Sequence, residues 1–318
     1  MTELVTELVR IAAFSDGSRG GNPAGVWIGA QLPTAEEMQR IAAEVGFSET
    51  AFAAPLHGEG QEACGRQWRV RYFSPEAEVP FCGHATIALG VALARRFGAG
   101  DHALCLNQTE IRVSGWQDEQ GQWQAALQSP PTSSKPAPAD LMREALALFG
   151  YDAASLDPRI PPAIIHGGAD HLVLALKDRA TLSAMHYSQA QGRLLMRREG
   201  LVTILLVHVA GDRLFHTRNA FAYGGVYEDP ATGAATAAFA GYLRDLHWPH
   251  GGAIDIVQGE DMGMPSRLRA EIPVELGSAV RVCGGARWIW AGSAGDTRSV
   301  EAGGGCRWGC SSERRSAP

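Results

Sequence analysis

The 318-residue chain is 45% apolar and 19% charged, enough to bury one large core or two of about 150 residues each. A net charge of −6 argues against binding by phosphate neutralisation, so no nucleic-acid partner is expected. There is no apolar run of roughly 18 residues and no basic region ahead of the first apolar stretch, so neither a membrane span nor a secretion signal is expected.

In chain order, Leu4 to Ala13 reads as an opening strand that ends at Phe14. Ser15 to Pro23, dense in turn formers, reads as a turn region that includes Asn22, and Gly25 to Ile28 as a second strand. Thr34 and Glu37 have the spacing of a capping box; Met38, Ile41 and Ala42 give the following helix a buried stripe, and Gly46 closes it. Phe47 to Phe52 reads as a short strand carrying Glu49 between apolar neighbours, and Trp68 to Phe73 as an alternating strand. The chain is organised around the next stretch, Ser74 to Arg96, where a polar loop runs through Phe81, Cys82 and Gly83 into a small-residue helix from His84. Ile87, Leu89, Val91 and Leu93 are spread almost all round that helix, which predicts burial on most sides. Its first turn then points unpaired N–H groups and a positive dipole end at whatever lies in front, a ready site for a carboxylate or a developing oxyanion.

This device recurs. Glu78–Thr86 reads EVPFCGHAT and Glu228–Thr236 reads EDPATGAAT, and five of the nine positions are identical at an offset of 228 − 78 = 150 residues. A small-residue helix follows each copy, which points to two related halves that aim helix N-termini at a shared cleft. Pro130 to Pro138 is the expected linker. Beyond it, Asp140 is expected to cap a helix that Gly150 ends, and Ser183 to Glu199 reads as one further helix. Strands are expected over His171–Leu176, Leu201–Val209, Leu214–Arg218, Ile254–Gly259, Arg267–Ile272 and Val280–Trp290. Together these elements predict an α+β fold of two pseudo-symmetric domains, residues 1–128 and 129–291, each a curved, mostly antiparallel sheet around a central helix. Residues 292–318 hold few large apolar side chains and are expected to be disordered. The six cysteines form no C-x-x-C pair and no zinc spacing, so reduced thiols in a cytoplasmic protein are the simplest account.

The candidate chemistry lies around the two motifs. Glu49 sits on a partly desolvated strand, where a carboxyl can take and return a proton. His84 follows Gly83 at a helix start, a position that favours the neutral donor or acceptor form of an imidazole; Gly83 lets a ligand approach the backbone closely. Asp229 precedes the second helix and can hold an ammonium or a histidine. Asn22, Arg71, Arg218 and Gln258 are further polar groups at strand ends and turns. Cys82 is a candidate thiolate base, but the offset of 150 puts Thr232, not a second cysteine, at the matching position.

Gly21-Asn22-Pro23-Ala24, Phe47 to Phe52, Arg71 to Pro75, Glu78 to Thr86, Glu228 to Gly233, and Gln258-Gly259 with Pro265-Ser266 occur in the order of the phenazine-biosynthesis PhzF family, and the chain resembles that family from about Val5 to Trp290. The resemblance implies a diaminopimelate-epimerase-like fold, a cleft between two domains, no metal and no organic cofactor, and a homodimer. It implies Glu49 as the acid that moves a proton, Gly83 and His84 lining the cleft, and Asp229 as the family's aspartate. Thr232, Gly233 and Ala234 form the matching second helix start, where Ala234 replaces the serine of the phenazine enzyme and loses a hydroxyl. The expected function is a cofactor-independent isomerase of a small carboxylate-bearing metabolite. A binding module that has lost the chemistry, and a racemase working through the single thiol of Cys82, are the alternatives.

Overall fold

The computed structural model describes residues 5–56 and 66–289. The tail expected over 292–318 lies outside them, as do Cys64, Cys306, Cys310 and Trp290. Among the described residues, seventeen strands join into one hydrogen-bonded sheet, and six α-helices pack on it, a sheet-rich mixed α/β fold.

β1 (Glu7–Ala13) and β2 (Asn22–Ile28) run antiparallel. α1 (Ala35–Val45) starts on its capping box: the Thr34 hydroxyl accepts from the Glu37 N–H while the Glu37 carboxylate accepts from the Thr34 N–H. The helix ends on Gly46 in the left-handed region, at φ 74°. The chain is still unwinding from that cap at Phe47 and Ser48, so β3 (Thr50–Pro55) begins later than expected and Glu49 lies just ahead of the strand instead of inside it. β4 (Gln67–Phe73) follows, and β5 (Glu78–Val79) folds back on it. Then come α2 (Gly83–Phe97), β6 (Gly100–Cys105), β7 (Glu110–Gln117) and β8 (Trp123–Pro131).

The proline-rich stretch expected as a linker carries β9 (Ser133–Pro136), which pairs with one neighbour only, β10 (Ala163–His166); an edge tolerates a residue without an N–H. α3 (Ala139–Phe149) starts directly after Pro138, so Asp140 lies in its first turn and not at the cap. β11 (Asp170–Leu176) follows. The single helix expected over Ser183–Glu199 is two, α4 (Arg179–Ser183) and α5 (Gln189–Glu199), each with its own cap at Asp178 and Ser188. Between them Tyr187 stacks on Tyr227, with ring centroids 4.5 Å apart, and pulls the chain out of helical geometry into the core. β12 (Thr203–Gly211), β13 (Leu214–Ala220), β14 (Glu228–Asp229), α6 (Gly233–Asp245), β15 (Ala253–Gln258), β16 (Ser266–Glu271) and β17 (Ala279–Trp288) complete the described chain.

One pairing pattern occurs twice. β2 is parallel to β3, β3 antiparallel to β4, and β4 pairs with both β5 and parallel β6. β11 is parallel to β12, β12 antiparallel to β13, and β13 pairs with both β14 and parallel β15. The repeated sequence motif spans β5–α2 in one copy and β14–α6 in the other. An ion pair repeats with it: Arg71 grips Glu78 at 2.8 and 2.6 Å, and Arg218 grips Glu228 at 3.0 and 2.5 Å.

α2 packs against β1, β2, β3, β6, β7, β8 and β17, and every residue from His84 to Ala94 is buried. Each fully buried Ile, Leu or Val there contributes about 1.5–3 kcal/mol. Gly90 lets β7 cross closely, because a Cβ on it would stand 2.5 Å from a Val113 methyl. α6 packs in the same way against β9, β10, β11, β16 and β17. β17 pairs with β1, β8 and β16, and so joins strands from early in the chain to the last ones.

Candidate active site

α2 and α6 touch, and their N-terminal turns bring the two sequence motifs together. Thr34, Asp178 and Ser188 cap α1, α4 and α5 with side-chain oxygens. At α2 the N-cap is Cys82 and at α6 it is Thr232; neither side chain caps its helix, and neither first turn holds an acid. The first N–H groups of both helices are therefore left for another acceptor. Gly83 and Gly233 head the two helices. A Cβ on Gly83 would meet nothing within 4 Å, while one on Gly233 would touch the ring of Phe14 at 3.6 Å.

Phe14 is buried at φ 58°, a conformation that costs a non-glycine residue about 1–3 kcal/mol and is held by its surroundings. One such neighbour is Gly284, whose lack of a side chain makes room for the ring; a Cβ there would lie 2.6 Å from it.

His84 sits in the first turn of α2 with its ring between three groups. Its Nε2 lies 3.4 Å from Glu49 Oε2 and 3.4 Å from Ser48 Oγ, and its Nδ1 lies 3.3 Å from Cys82 Sγ. The Glu49 side chain is 20% exposed, and its carboxylate reaches toward His84. Burial, and next the Glu49 carboxylate, hold the Cys82 thiol well above its ordinary pKa. A thiol held protonated is a poor base, which weighs against the racemase alternative.

Asp229 ends β14. Asn22, at the head of β2 and 207 residues away, donates to its Oδ1 at 2.8 Å, and the Thr232 hydroxyl donates to its Oδ2. Asn22 also donates to the Ala231 carbonyl at 3.3 Å. Gln258 donates to the Asp229 carbonyl at 2.6 Å and to Thr232 Oγ1 at 3.1 Å, and accepts from the Thr232 N–H at 3.2 Å. Although part of the residue reaches solvent, the carboxyl lies deep, and burial lifts its pKa from 3.8 to about 6; Glu49 pushes the same way, while His84, Thr232 and Asn22 pull it down. Ala234 follows Gly233 at the α6 start, half-buried, and brings no polar group to the site.

The expected residues Asn22, Glu49, Gly83, His84, Asp229, Thr232 and Gly233 thus come together from both halves of the chain. Arg71 and Arg218 do not join them: each is spent on its glutamate. Residue reading missed Tyr72, whose buried hydroxyl bonds Thr86 Oγ1 at 2.6 Å while Thr86 donates to the Cys82 carbonyl at 2.7 Å, fixing the start of α2. It also missed Ser48 as a partner of His84; the signal was only its place beside Glu49. Two surface hollows, of about 330 and 390 Å³, are lined by other residues. Chemically, the site offers a carboxylate beside an imidazole and a second, buried carboxyl that feels both and titrates close to neutrality, near two helix starts suited to negative charge.

Comparison with known proteins identifies the fold and the family. The solved PhzF-family phenazine biosynthesis protein of Bacillus anthracis superposes with a TM-score of 0.75 over 90% of this chain and 98% of its own, at 22% identity. A probable proline racemase of Agrobacterium radiobacter shares the fold more distantly, with a TM-score of 0.59 at 11% identity over 90% of this chain and 91% of its own. The fold is therefore that of the phenazine-biosynthesis and proline-racemase type. The family described as phenazine biosynthesis-like protein matches residues 11–292, and the chain belongs to that family, PhzF. Its relatives include an uncharacterized isomerase of Deinococcus radiodurans, 30% identical over 86% of this chain and 89% of that one. The trans-2,3-dihydro-3-hydroxyanthranilate isomerase of Pseudomonas aeruginosa is also 30% identical, over 87% of this chain and 94% of that one. The chain is thus a member of an isomerase family. No helix among the described residues is long and apolar enough to cross a membrane.

Proposed function

We propose that the protein is a cofactor-independent isomerase that moves a proton between two carbons of a small carboxylate-bearing metabolite. One observation carries the reading: Glu49, His84 and Asp229, drawn from both halves, converge beneath two helix N-termini that no side chain caps. The substrate carboxylate, or the enolate-like charge formed beside it, lies against the free N–H groups of α2 and α6. Glu49 takes a proton from carbon, and the electron pair of that C–H bond passes into the adjoining π-system. Protonated Glu49 then gives the proton to a second carbon on the same face, so one base suffices. His84 and Asp229 orient the ring or amine. The two halves, 1–128 and 129–291, are read as pseudo-symmetric domains with α2 and α6 as the helices their sheets wrap. Family likeness supports a cytoplasmic homodimer, which light scattering tests.

The test is label transfer in deuterated water. Trans-2,3-dihydro-3-hydroxyanthranilate, the compound in the name of the Pseudomonas relative, is the first substrate to try, followed by other small cyclic acids. Deuterium enters at carbon with the wild type, and Glu49→Gln lowers the rate by about 10²–10⁴, the usual contribution of one acid–base group. Tight binding without exchange in either protein would identify a binding module instead.

A further inference from the structure

β13 turns one face to α6. Phe215 packs its ring edge-on against Phe239 of that helix, with centroids 5.2 Å apart, and alternate residues of a strand share a face, so Thr217 and Asn219 point the same way. Arg218, between them, points to the other side, where it donates to Glu228 and to the Ser183 carbonyl. Asn219 has no solvent exposure, and among the described residues neither its amide nitrogen nor its amide oxygen has a hydrogen-bond partner. A buried amide left unpaired at both ends is costly, and native structures keep few of them. Directly opposite Asn219 on β14 is Asp229. Facing Cβ atoms of an antiparallel pair stand about 4.5–5.5 Å apart, so side-chain rotation alone brings an amide and a carboxyl at these positions into contact. The first half of the chain shows the same place without an acid: Tyr72 stands opposite Val79, and its hydroxyl is satisfied by Thr86 of α2.

We propose that Asn219 is a positioning residue for Asp229: its amide donates to the carboxylate when that is charged and, turned over, accepts from the carboxyl when that is neutral. The inference rests on the reading of Asp229 as a group that orients the substrate. The two side chains already bonded to Asp229 are locked as donors. Asn22 also donates to the Ala231 carbonyl, and the Thr232 hydroxyl accepts from Gln258, so neither is free to take a proton from Asp229. A carboxylate can accept about four hydrogen bonds, which leaves room for a third donor beside these two. Glu49, His84 and Cys82 act on Asp229 from the first half of the chain, and Arg218, on the far face of β13, is already paired with Glu228. Asn219 alone of the groups on β13 and β14 has both a donor and an acceptor uncommitted. Asp229 therefore keeps one place through either charge state.

The experiment follows Asp229 in the full chain by NMR of its isotope-labelled carboxyl carbon, identified by its loss in Asp229→Asn. Asn219→Leu, close to asparagine in size, is expected to raise the midpoint, about 6 in the wild type, by about one pH unit, because a hydrogen bond to the charged form is stronger than one to the neutral form. Thr217→Val, which removes the other unpartnered group on that face, is expected to leave the midpoint where it was. In the wild type the Asn219 amide protons are expected to shift with the same midpoint, a readout that needs no variant to fold. A folded Asn219→Leu with an unmoved midpoint, an equal shift in Thr217→Val, or amide protons that do not respond to the titration overturns the pairing. On the acid side of the profile, kcat/KM for deuterium exchange in Asn219→Leu is expected to fall about tenfold, the equivalent of one pH unit. Wild-type kcat/KM at every pH in folded Asn219→Leu overturns the role in turnover. Absence of exchange in the wild type defeats the isomerase reading, while the NMR titration still decides the pairing.

Discussion

Replacing Asp229 with asparagine measures the cost of keeping a carboxyl buried at the site. Burial raises its pKa from 3.8 to about 6, so the folded state holds this proton more tightly than the unfolded chain does. Stability from this group is therefore fully present below 3.8 and falls as the pH rises to about 6. At about 1.36 kcal/mol per pH unit the loss by neutral pH is about 3 kcal/mol. Asp229→Asn keeps the shape and the bond from Asn22, removes the charge, and strands the Thr232 hydroxyl, which costs about 1 kcal/mol. The variant is expected to be more stable than wild type at pH 7 by about 2 kcal/mol, a rise in Tm of a few degrees, and slightly less stable at pH 4, where the wild-type carboxyl is already neutral. Thermal unfolding of both proteins from pH 4 to pH 8 checks this. A Tm difference that stays constant with pH, or a variant that loses ground as pH rises, refutes the buried-carboxyl account.

Asn22→Ala removes a hydrogen bond to the charged form of Asp229, worth about 1.5–3 kcal/mol, so the acid limb of kcat/KM should move up by roughly one to two pH units; an unmoved limb would show that Asp229 does not set it. Gly83→Ala adds a methyl group that meets nothing, so stability should hold or rise by about 0.5–1 kcal/mol while KM increases, because the methyl stands over the first N–H groups of α2. An unchanged KM would count against that helix start as the seat of the carboxylate. Arg218→Met breaks a pair whose side chains are 9% and 3% exposed and should cost about 3–5 kcal/mol in urea unfolding. Arg71→Met acts on the matching pair at 23% and 28% exposure and should cost about 1 kcal/mol or less, and equal losses would contradict the burial argument.

Much of the site was legible because its parts are local. The two motif copies place Gly83, His84, Asp229 and Gly233 by sequence alone, and Thr34 with Glu37 marks a helix start through a three-residue spacing. What stayed hidden depends on chain segments far apart. The Asn22–Asp229 bond joins residues 207 positions apart, and the Tyr72–Thr86 bond depends on how β4 faces α2. The break between α4 and α5 comes from the packing of Tyr187 on Tyr227, which overrides a continuous helical pattern. Glu49 was expected inside a strand because apolar neighbours flank it; the left-handed turn at Gly46 delays the strand and leaves Glu49 at its mouth, free to reach His84.

The position of β17 has a consequence for biosynthesis. It hydrogen-bonds to β1 and β8 as well as to β16, so β1 and β8 each lack a neighbour until nearly all of the described chain has left the ribosome. Loop closures of that span are slow, and the waiting strand edges are open to wrong partners. Folding of this protein is therefore a late event, and a nascent chain stalled before β17 would be a substrate for chaperones, with neither half finished.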